Sequence, residues 1–468
     1  MAPRLLIKLL PALLMIVQIV GPIAVVRSQS DEGTQSSQIA QKNPKNEQLK
    51  QLIRQLKSTD SEIRWNAAST LGGMGKFAES TIPDLIALLK DPDVDVRFIA
   101  AFALGSMGKF TIPNLTPLLK DPDARVRSRA ASALGFMGEF PESPIPDLIA
   151  LLKDPDAEVR SSAVSALGSM RGSVKSTIPN LTALLKDPDA KVRTITAATL
   201  GHVGEPDKSA IPDLIALLKD PDVEIRSSAA SALGYMGESA KSTIPNLIAL
   251  LKDPNERVRQ DTTFALSLMR EFIAPAIPDL IPLLKHVDAG VRSNAAFTLE
   301  SMRESAKSAI PDLILLLKDP NEEVRASAAS ALGNMGEFSK SIIPDVIPLL
   351  KDPNARVRAS AASALGSMGK YDKSIISNLI PLLKDPDAWV RSRTVSALGG
   401  MGESTIPRLI PLLKDPDAEV RASVAFTLGY MGDSAKAVIS ELIPLLKDIN
   451  PNVRRFADEA LRKLDYKP

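Results

Sequence analysis

The 468-residue sequence contains no cysteine and only two histidines, His202 and His286. The first absence excludes disulfides, thiolate metal sites, iron–sulfur clusters and any cysteine nucleophile. The second leaves no histidine-rich metal site and no histidine in a recognisable catalytic motif. Aromatic residues are 4% of the chain and hydrophobic residues 44%, so a core must be built from Leu, Ile, Val and Ala. Net charge is scarce too: 57 Lys and Arg stand against 55 Asp and Glu, a balance of +2. That excludes a strongly basic nucleic-acid sleeve or a strongly acidic tail as the dominant feature. What is plentiful is proline and glycine, 36 and 25, too many for a plain helical bundle unless they mark regular boundaries.

The N-terminus reads as a separate piece. Arg4 and Lys8 precede an apolar run from Leu9 to Val26, closed by Arg27 and a polar stretch from Ser28. This is the pattern of an export signal, with Val26 and Ser28 placed for cleavage after Ser28. The run is 18 residues long, interrupted by Pro11, Gln18, Gly21 and Pro22. An uncleaved single-span anchor is the alternative. Residues 1–28 are thus expected to export the chain, to a periplasm or the exterior, or to anchor it to a membrane. The Ser/Gln-rich residues 29–43 are expected to be a flexible linker.

Length alone suggests about three domains, but a repeat overrides that. Leu-Leu-Lys-Asp recurs with its Asp at Asp91, Asp121, Asp154, Asp187, Asp220, Asp253, Asp319, Asp352, Asp385, Asp415 and Asp448. The steps are 33 residues, except 30 before Asp121 and Asp415 and a double step of 66 across His286. Six residues after each position stands an arginine: Arg64, Arg97, Arg127, Arg160, Arg193, Arg226, Arg259, Arg292, Arg325, Arg358, Arg391, Arg421 and Arg454. Thirteen copies of a fixed period over residues 44–468 are the signature of a solenoid.

Each unit spells two helices. Around Asp91, Pro83 suits a first helical position and Leu85, Leu88 and Leu89 make one apolar stripe. Asp91 is expected to cap the second helix with Pro92 as its first residue. Val96, Ala100, Ala103, Leu104 and Met107 share one face of that helix, and Gly105 and Gly108 are expected to close it. The charge-rich first and last helices are suited to be terminal caps.

The pattern Leu-Leu-Lys-Asp-Pro-Asp-x-x-Val-Arg-x-x-Ala-Ala-x-Ala-Leu-Gly-x-Met-Gly resembles HEAT repeats. Its short, Gly-ended form is similar to the HEAT-like repeats named after phycobilisome lyases. The resemblance implies an all-α, right-handed solenoid of about thirteen two-helix units, with the second helix lining a concave side. It also implies an Asp–Arg ladder, each Asp meeting the arginine of its own or a neighbouring unit. The ladder residues are Asp91, Arg97, Asp121, Arg127, Asp154, Arg160, Asp187, Arg193, Asp220, Arg226, Asp253 and Arg259. Past His286 they are Asp319, Arg325, Asp352, Arg358, Asp385, Arg391, Asp415 and Arg421.

Catalysis finds no support. The HEAT-like deoxyhypusine hydroxylases hold iron with His-Glu pairs, and no such dipeptide occurs here. Recurrent pairs such as Asp91 and Asp93 are explained by capping, and Gly-rich stretches end helices, the wrong end for phosphate. No cofactor is expected. A partner would meet the second helices at positions one, five and nine past each repeated Arg. These are mostly Ser or Ala, but nine of the 18 aromatics fall there: Trp65, Phe98, Phe102, Phe136, Tyr235, Phe264, Phe297, Phe426 and Tyr430. Filling of gaps between neighbouring second helices is the other account of them.

The units around Asp253 and His286 lose their closing glycines, reading Leu266-Ser267-Leu268-Met269-Arg270 and Leu299-Glu300-Ser301-Met302-Arg303. Tyr235, Phe264, Leu268 and Phe297 gather there and make the favoured contact site. Two residues before each repeated Arg the charge alternates from Asp95 to Arg257, which suggests an ion-pair edge and argues against a basic stripe for nucleic acid. The expected function is a monomeric, non-enzymatic scaffold or assembly factor for protein or peptide, touching membrane only through its N-terminus. The resemblance offers one alternative, a lyase subunit attaching or detaching a bilin chromophore on phycobiliproteins. Such a lyase works in the cytoplasm, which the export signal opposes.

Overall fold

The computed structural model describes residues 44–138, 142–169, 177–202, 208–369 and 373–466. The leader and linker expected over residues 1–43 lie outside them. Every regular element among the described residues is helical. Thirteen second helices run along the chain, labelled here α1 (Ser61–Met74), α2 (Val94–Ser106), α3 (Ala124–Phe136), α4 (Ala157–Ser169), α5 (Ala190–His202), α6 (Val223–Met236) and α7 (Glu256–Leu268). They continue as α8 (Ala289–Ser301), α9 (Glu322–Gly333), α10 (Ala355–Met368), α11 (Ala388–Gly399), α12 (Ala418–Tyr430) and α13 (Pro451–Lys463). The chain divides into two compact units, one ending at Thr196 and one beginning at Ala197. Each is a stack of helix pairs, the first carrying α1 to α4 and the start of α5, the second the rest.

One residue decides how each first helix is built. Where the fourth residue before the repeated Asp is Ala150, Ala216 or Ala249, the helix runs unbroken over Ile145–Leu151, Ile211–Leu217 and Ile244–Leu250. Where it is Pro117, Pro282, Pro381, Pro411 or Pro444, the α-helix stops after four residues and finishes as a 3-10 turn. Proline has no N–H to give to the carbonyl four residues back, so the α ladder ends there.

The second helix begins two residues later than expected. Asp93, in extended geometry (φ −80°, ψ 130°), is its N-cap and accepts from the N–H groups of Asp95 and Val96. Asp91 instead accepts from the Asp93 N–H at 2.9 Å, an Asx-type turn across Pro92. This frees both Asp91 oxygens to face the preceding unit. The same pattern of Asp or Asn at the cap recurs at Asp123, Asp222, Asn255, Asn321 and Asn450.

Gly105 does not close α2; it lies inside it. A Cβ built there would stand 2.6 Å from the Ala133 carbonyl oxygen and 2.6 Å from the Phe136 Cβ of α3. The glycine row is therefore where neighbouring second helices touch backbone to side chain. Gly108 does close α2, at φ +77°. Val96, Ala100, Ala103 and Leu104 are fully buried, as are Leu85 and Leu89. Each leucine contributes about 1.5–3 kcal/mol of transfer free energy.

Candidate protein-interaction face

The arginine fork joins unit to unit. In the first compact unit Arg64 meets Asp91, Arg127 meets Asp154 and Arg160 meets Asp187. In the second, Arg226 meets Asp253, Arg292 meets Asp319, Arg325 meets Asp352, Arg358 meets Asp385, Arg391 meets Asp415 and Arg421 meets Asp448. In each pair the arginine reaches the Asp of the following unit, not its own. Arg325 is representative: Nε and Nη2 donate to the two Asp352 oxygens at 2.8 and 2.9 Å. Its Nη1 donates to the carbonyls of Asp319 and Pro320, tying down its own loop. Burial alone would raise the Asp352 carboxyl, but the Arg325 guanidinium and the Asn354 N–H outweigh it and hold the group below 3.8.

Two rungs differ. Arg97 clamps its own loop, yet its buried Nε has no partner among the described residues, while Lys90 stands 3.4 Å from Asp121. Unit length is not the reason, since Arg391 reaches Asp415 across the same 24 residues. Arg259 finds no carboxylate because His286 stands in the Asp position. His286 keeps only the turn, accepting from the Asp288 N–H at 3.1 Å. The buried Arg259 Nε has no partner, and Nη2 lies over Gly290, 2.5 Å from where a Cβ would be. Arg193 clamps the Asp187 carbonyl at 2.7 Å, and Asp220 does the same service for Asp222 N–H at 2.9 Å. The outer edge pairs Glu224 with Arg257 and Glu323 with Arg356, whereas Arg125 turns to Asp123 of its own unit.

The aromatics fall into three clusters. In the first compact unit the Phe136 ring takes Phe98 and Phe102 edge-on, at 5.7 and 5.5 Å. Phe98 and Phe102 are half-buried there, so they fill the gap between α2 and α3. In the second unit His202, Tyr235 and Phe264 form a chain of rings at 4.5 and 6.1 Å. Tyr235 is 45% exposed, Phe264 46% and Phe297 51%, with Leu268 exposed beside them. The third cluster joins Phe426, Tyr430 and Phe456, with the Lys463 ammonium 3.9 Å from the Tyr430 ring centre. Phe456 and His202 were not expected as members. Phe456 lies two residues past its arginine, off the one-five-nine rule, and His202 has a polar ring that only its Tyr235 contact marks as part of the row.

Glu300 is a further residue the sequence pattern left unread. It occupies the glycine row of α8 and is half-buried against α9. Ser330 Oγ and Asn334 Nδ2 donate to its Oε1 at 2.7 and 3.2 Å, but buried Oε2 has no partner. Burial raises this carboxyl above 4.5 despite those two bonds. The loss of the second glycine does not unmake the end of α8, because Arg303 adopts the left-handed conformation itself (φ 51°), at a cost of about 1–2 kcal/mol. After α7 the chain runs instead into a short helix, Arg270–Ile273. Beside Glu300 opens a groove of about 790 Å³ whose lining includes Arg303, Glu304, Asn334, Gly366 and Gly400. Among the described residues no three His, Asp or Glu side chains are grouped to hold a metal ion. No helix among them is long and apolar enough to cross a membrane.

The family model of HEAT repeats matches residues 82–168, 145–211, 178–267, 277–351, 343–406 and 406–468. The model of the PBS lyase HEAT-like repeat matches residues 63–91. No curated protein sequence matches the chain. Among solved structures, it is similar to the Kap95:Nup1 complex at 15% identity and TM-score 0.67, covering 90% of this chain and 67% of that one. Yeast importin-beta (Kap95p) follows at 13% identity and TM-score 0.60, covering 90% and 67%. Kap121p bound to Pho4p is similar at 16% identity and TM-score 0.59, covering 91% and 54%. The chain thus spans between about half and two thirds of the length of these proteins, and the likeness is one of fold.

Proposed function

The chain belongs to the HEAT-repeat family, and from that premise we propose that it is a non-catalytic scaffold that binds protein or peptide along its second helices. The observation that carries this reading is the row of half-exposed rings at Tyr235, Phe264 and Phe297. Helix stacking needs only small residues there, as Ser231, Ser330 and Ser363 show in the same unit. Large rings on a face that packing leaves open act as anchors once a partner desolvates them, each worth about 2 kcal/mol or more. The printed names of the structural neighbours include complexes with Nup1 and Pho4p, protein partners on a like fold. The match to the PBS lyase type of repeat covers residues 63–91 alone, too little to carry bilin chemistry as a second reading. We further propose that residues 1–28 export or tether the chain and that residues 29–43 link them to the solenoid, on the strength of the basic start and apolar run.

The test is capture from source cells with the wild-type chain beside a chain carrying Phe264→Ser and Phe297→Ser together. The expected result is a partner retained by the first and lost by the second, at equal helical circular dichroism. Identical partner sets would overturn the assignment of binding to these rings. For the leader, fractionation of cells expressing the chain with and without residues 1–28 should move it between compartments; an unchanged distribution would refute the export reading.

A further inference from the structure

The ring row of the second compact unit does not end in neutral surface. Phe297 and Glu300 stand three residues apart on α8, neighbours one above the other, about 5–6 Å between Cβ atoms. Glu300 takes the place that glycine holds at Gly234, Gly333 and Gly366, and it is the one acid in that row. Its Oε1 is occupied by Ser330 and Asn334, while Oε2 is left without a partner. A buried carboxylate oxygen with no donor is costly, so the arrangement is incomplete as it stands.

The surroundings tell what would complete it. The adjoining groove carries Glu304 as a second acid, and Gly336 leaves room for it, since a Cβ there would collide with the Glu304 carboxylate. Its floor at Gly333, Gly366 and Gly400 lies at the ends of α9, α10 and α11, where unpaired carbonyls present negative potential. Arg303 is the one cation in the lining, and no ion pair joins it to Glu300 among the described residues. Apolar rings on one side and a donor-poor acidic groove on the other are complementary to a chain that carries an apolar side chain and a cation close together.

We infer that this part of the face takes an extended peptide segment with an aromatic or leucine anchor on Phe264, Leu268 and Phe297 and a lysine or arginine at Glu300. An extended strand advances about 3.3 Å per residue, so the basic residue falls about two or three positions from the anchor. The bare oxygen accepts the cation's N–H, and the pair excludes water as the anchor seats. Serines at the same face of neighbouring helices, Ser330 and Ser363, leave the path of the backbone unobstructed. This inference rests on the scaffold reading above and assigns the chemistry of its partner.

The test is selection of a phage-displayed random dodecapeptide library on the immobilised full chain. Wild type is run beside Glu300→Gln, Glu300→Gly and the Phe264→Ser, Phe297→Ser pair. Wild type should enrich peptides with an aromatic or leucine and a Lys or Arg two or three residues away. Both Glu300 variants should keep the anchor and lose the basic enrichment, by about fivefold in recovery. Glu300→Gly restores the repeat's own residue, so a folding failure of one variant leaves the other to report. Anchors without basic enrichment in wild type, or basic enrichment unchanged in both Glu300 variants, would overturn the inference and leave the scaffold reading standing. If the double Phe variant selects the same peptides as wild type, the scaffold reading on this face falls as well.

Discussion

Replacing Asp352 by Asn tests whether the buried fork, and not the leucine core alone, couples one helix pair to the next. Asp352 accepts two N–H bonds from Arg325 and one from Asn354, and its side chain is 10% exposed against 15% for Arg325. Asparagine keeps one acceptor oxygen but turns an amide N–H₂ toward the guanidinium and removes the charge. Breaking a buried, hydrogen-bonded pair from one side costs about 3–5 kcal/mol. The exposed pair Arg356–Glu323, at 58% and 52% exposure, is the internal control. Its removal by Arg356→Ala should cost about 0–1 kcal/mol. In a stack that interacts only with neighbours the loss falls on one interface. Native-state hydrogen exchange should therefore speed in α9 and α10 by about a hundredfold or more, while α1 to α3 stay as they were. An Asp352→Asn chain no less stable than Arg356→Ala would refute the argument and leave the fork as decoration on a hydrophobic stack.

Other outcomes follow from the same geometry. Asp154, Asp187, Asp319, Asp352 and Asp385 are all held below 3.8, burial being outweighed by their arginines. A depressed carboxyl stabilises the fold above its unfolded value and stops doing so as pH falls through the folded one. The urea midpoint should thus hold above pH 3.8 and drop below it; a midpoint unmoved through that window would count against the ladder. Glu300 has the opposite sign: its raised carboxyl costs stability as pH climbs above 4.5. Glu300→Gln should melt higher than wild type at neutral pH, with the margin closing toward pH 4.5. Gly366→Ala puts a Cβ 2.6 Å from the Ala397 Cβ and should destabilise by about 1–3 kcal/mol. Gly73→Ala meets nothing within 4 Å and should stabilise by about 0.5–1 kcal/mol, both read as shifts in thermal midpoint.

The thirteen second helices, their arginines and the ring row could be read from spacing because a repeat multiplies every signal. What spacing could not supply was partnership. Asp91 and Asp93 are both plausible caps by residue type, and only the Asx turn across Pro92 separates the cap from the fork. The direction of the fork, toward the following unit, depends on stacking and has no trace in a single unit. Gly105 and Gly108 look alike in sequence; one is a contact and the other a left-handed stop. Misjudging the first hid the meaning of Glu300, which registers as a lost terminator until the neighbouring Ser330 and Asn334 are seen to hold it. The ring row was legible as a row, but Phe98 and Phe102 turned out to be inter-helix filling against Phe136.

Because every fork in the second compact unit has the same shape, the joint is interchangeable. Arg325 grips Asp352 as Arg358 grips Asp385, each across 27 residues and with bonds of 2.8–2.9 Å. Excising residues 326–358 would bring Arg325 to Asp385 at the same separation, one rung fewer and the remaining rungs untouched. The length of the array is in this sense a free parameter, adjustable in steps of 33 residues by gain or loss of a whole coupling. Only the individual residues grafted on it, such as Glu300, tie a function to one place along the row.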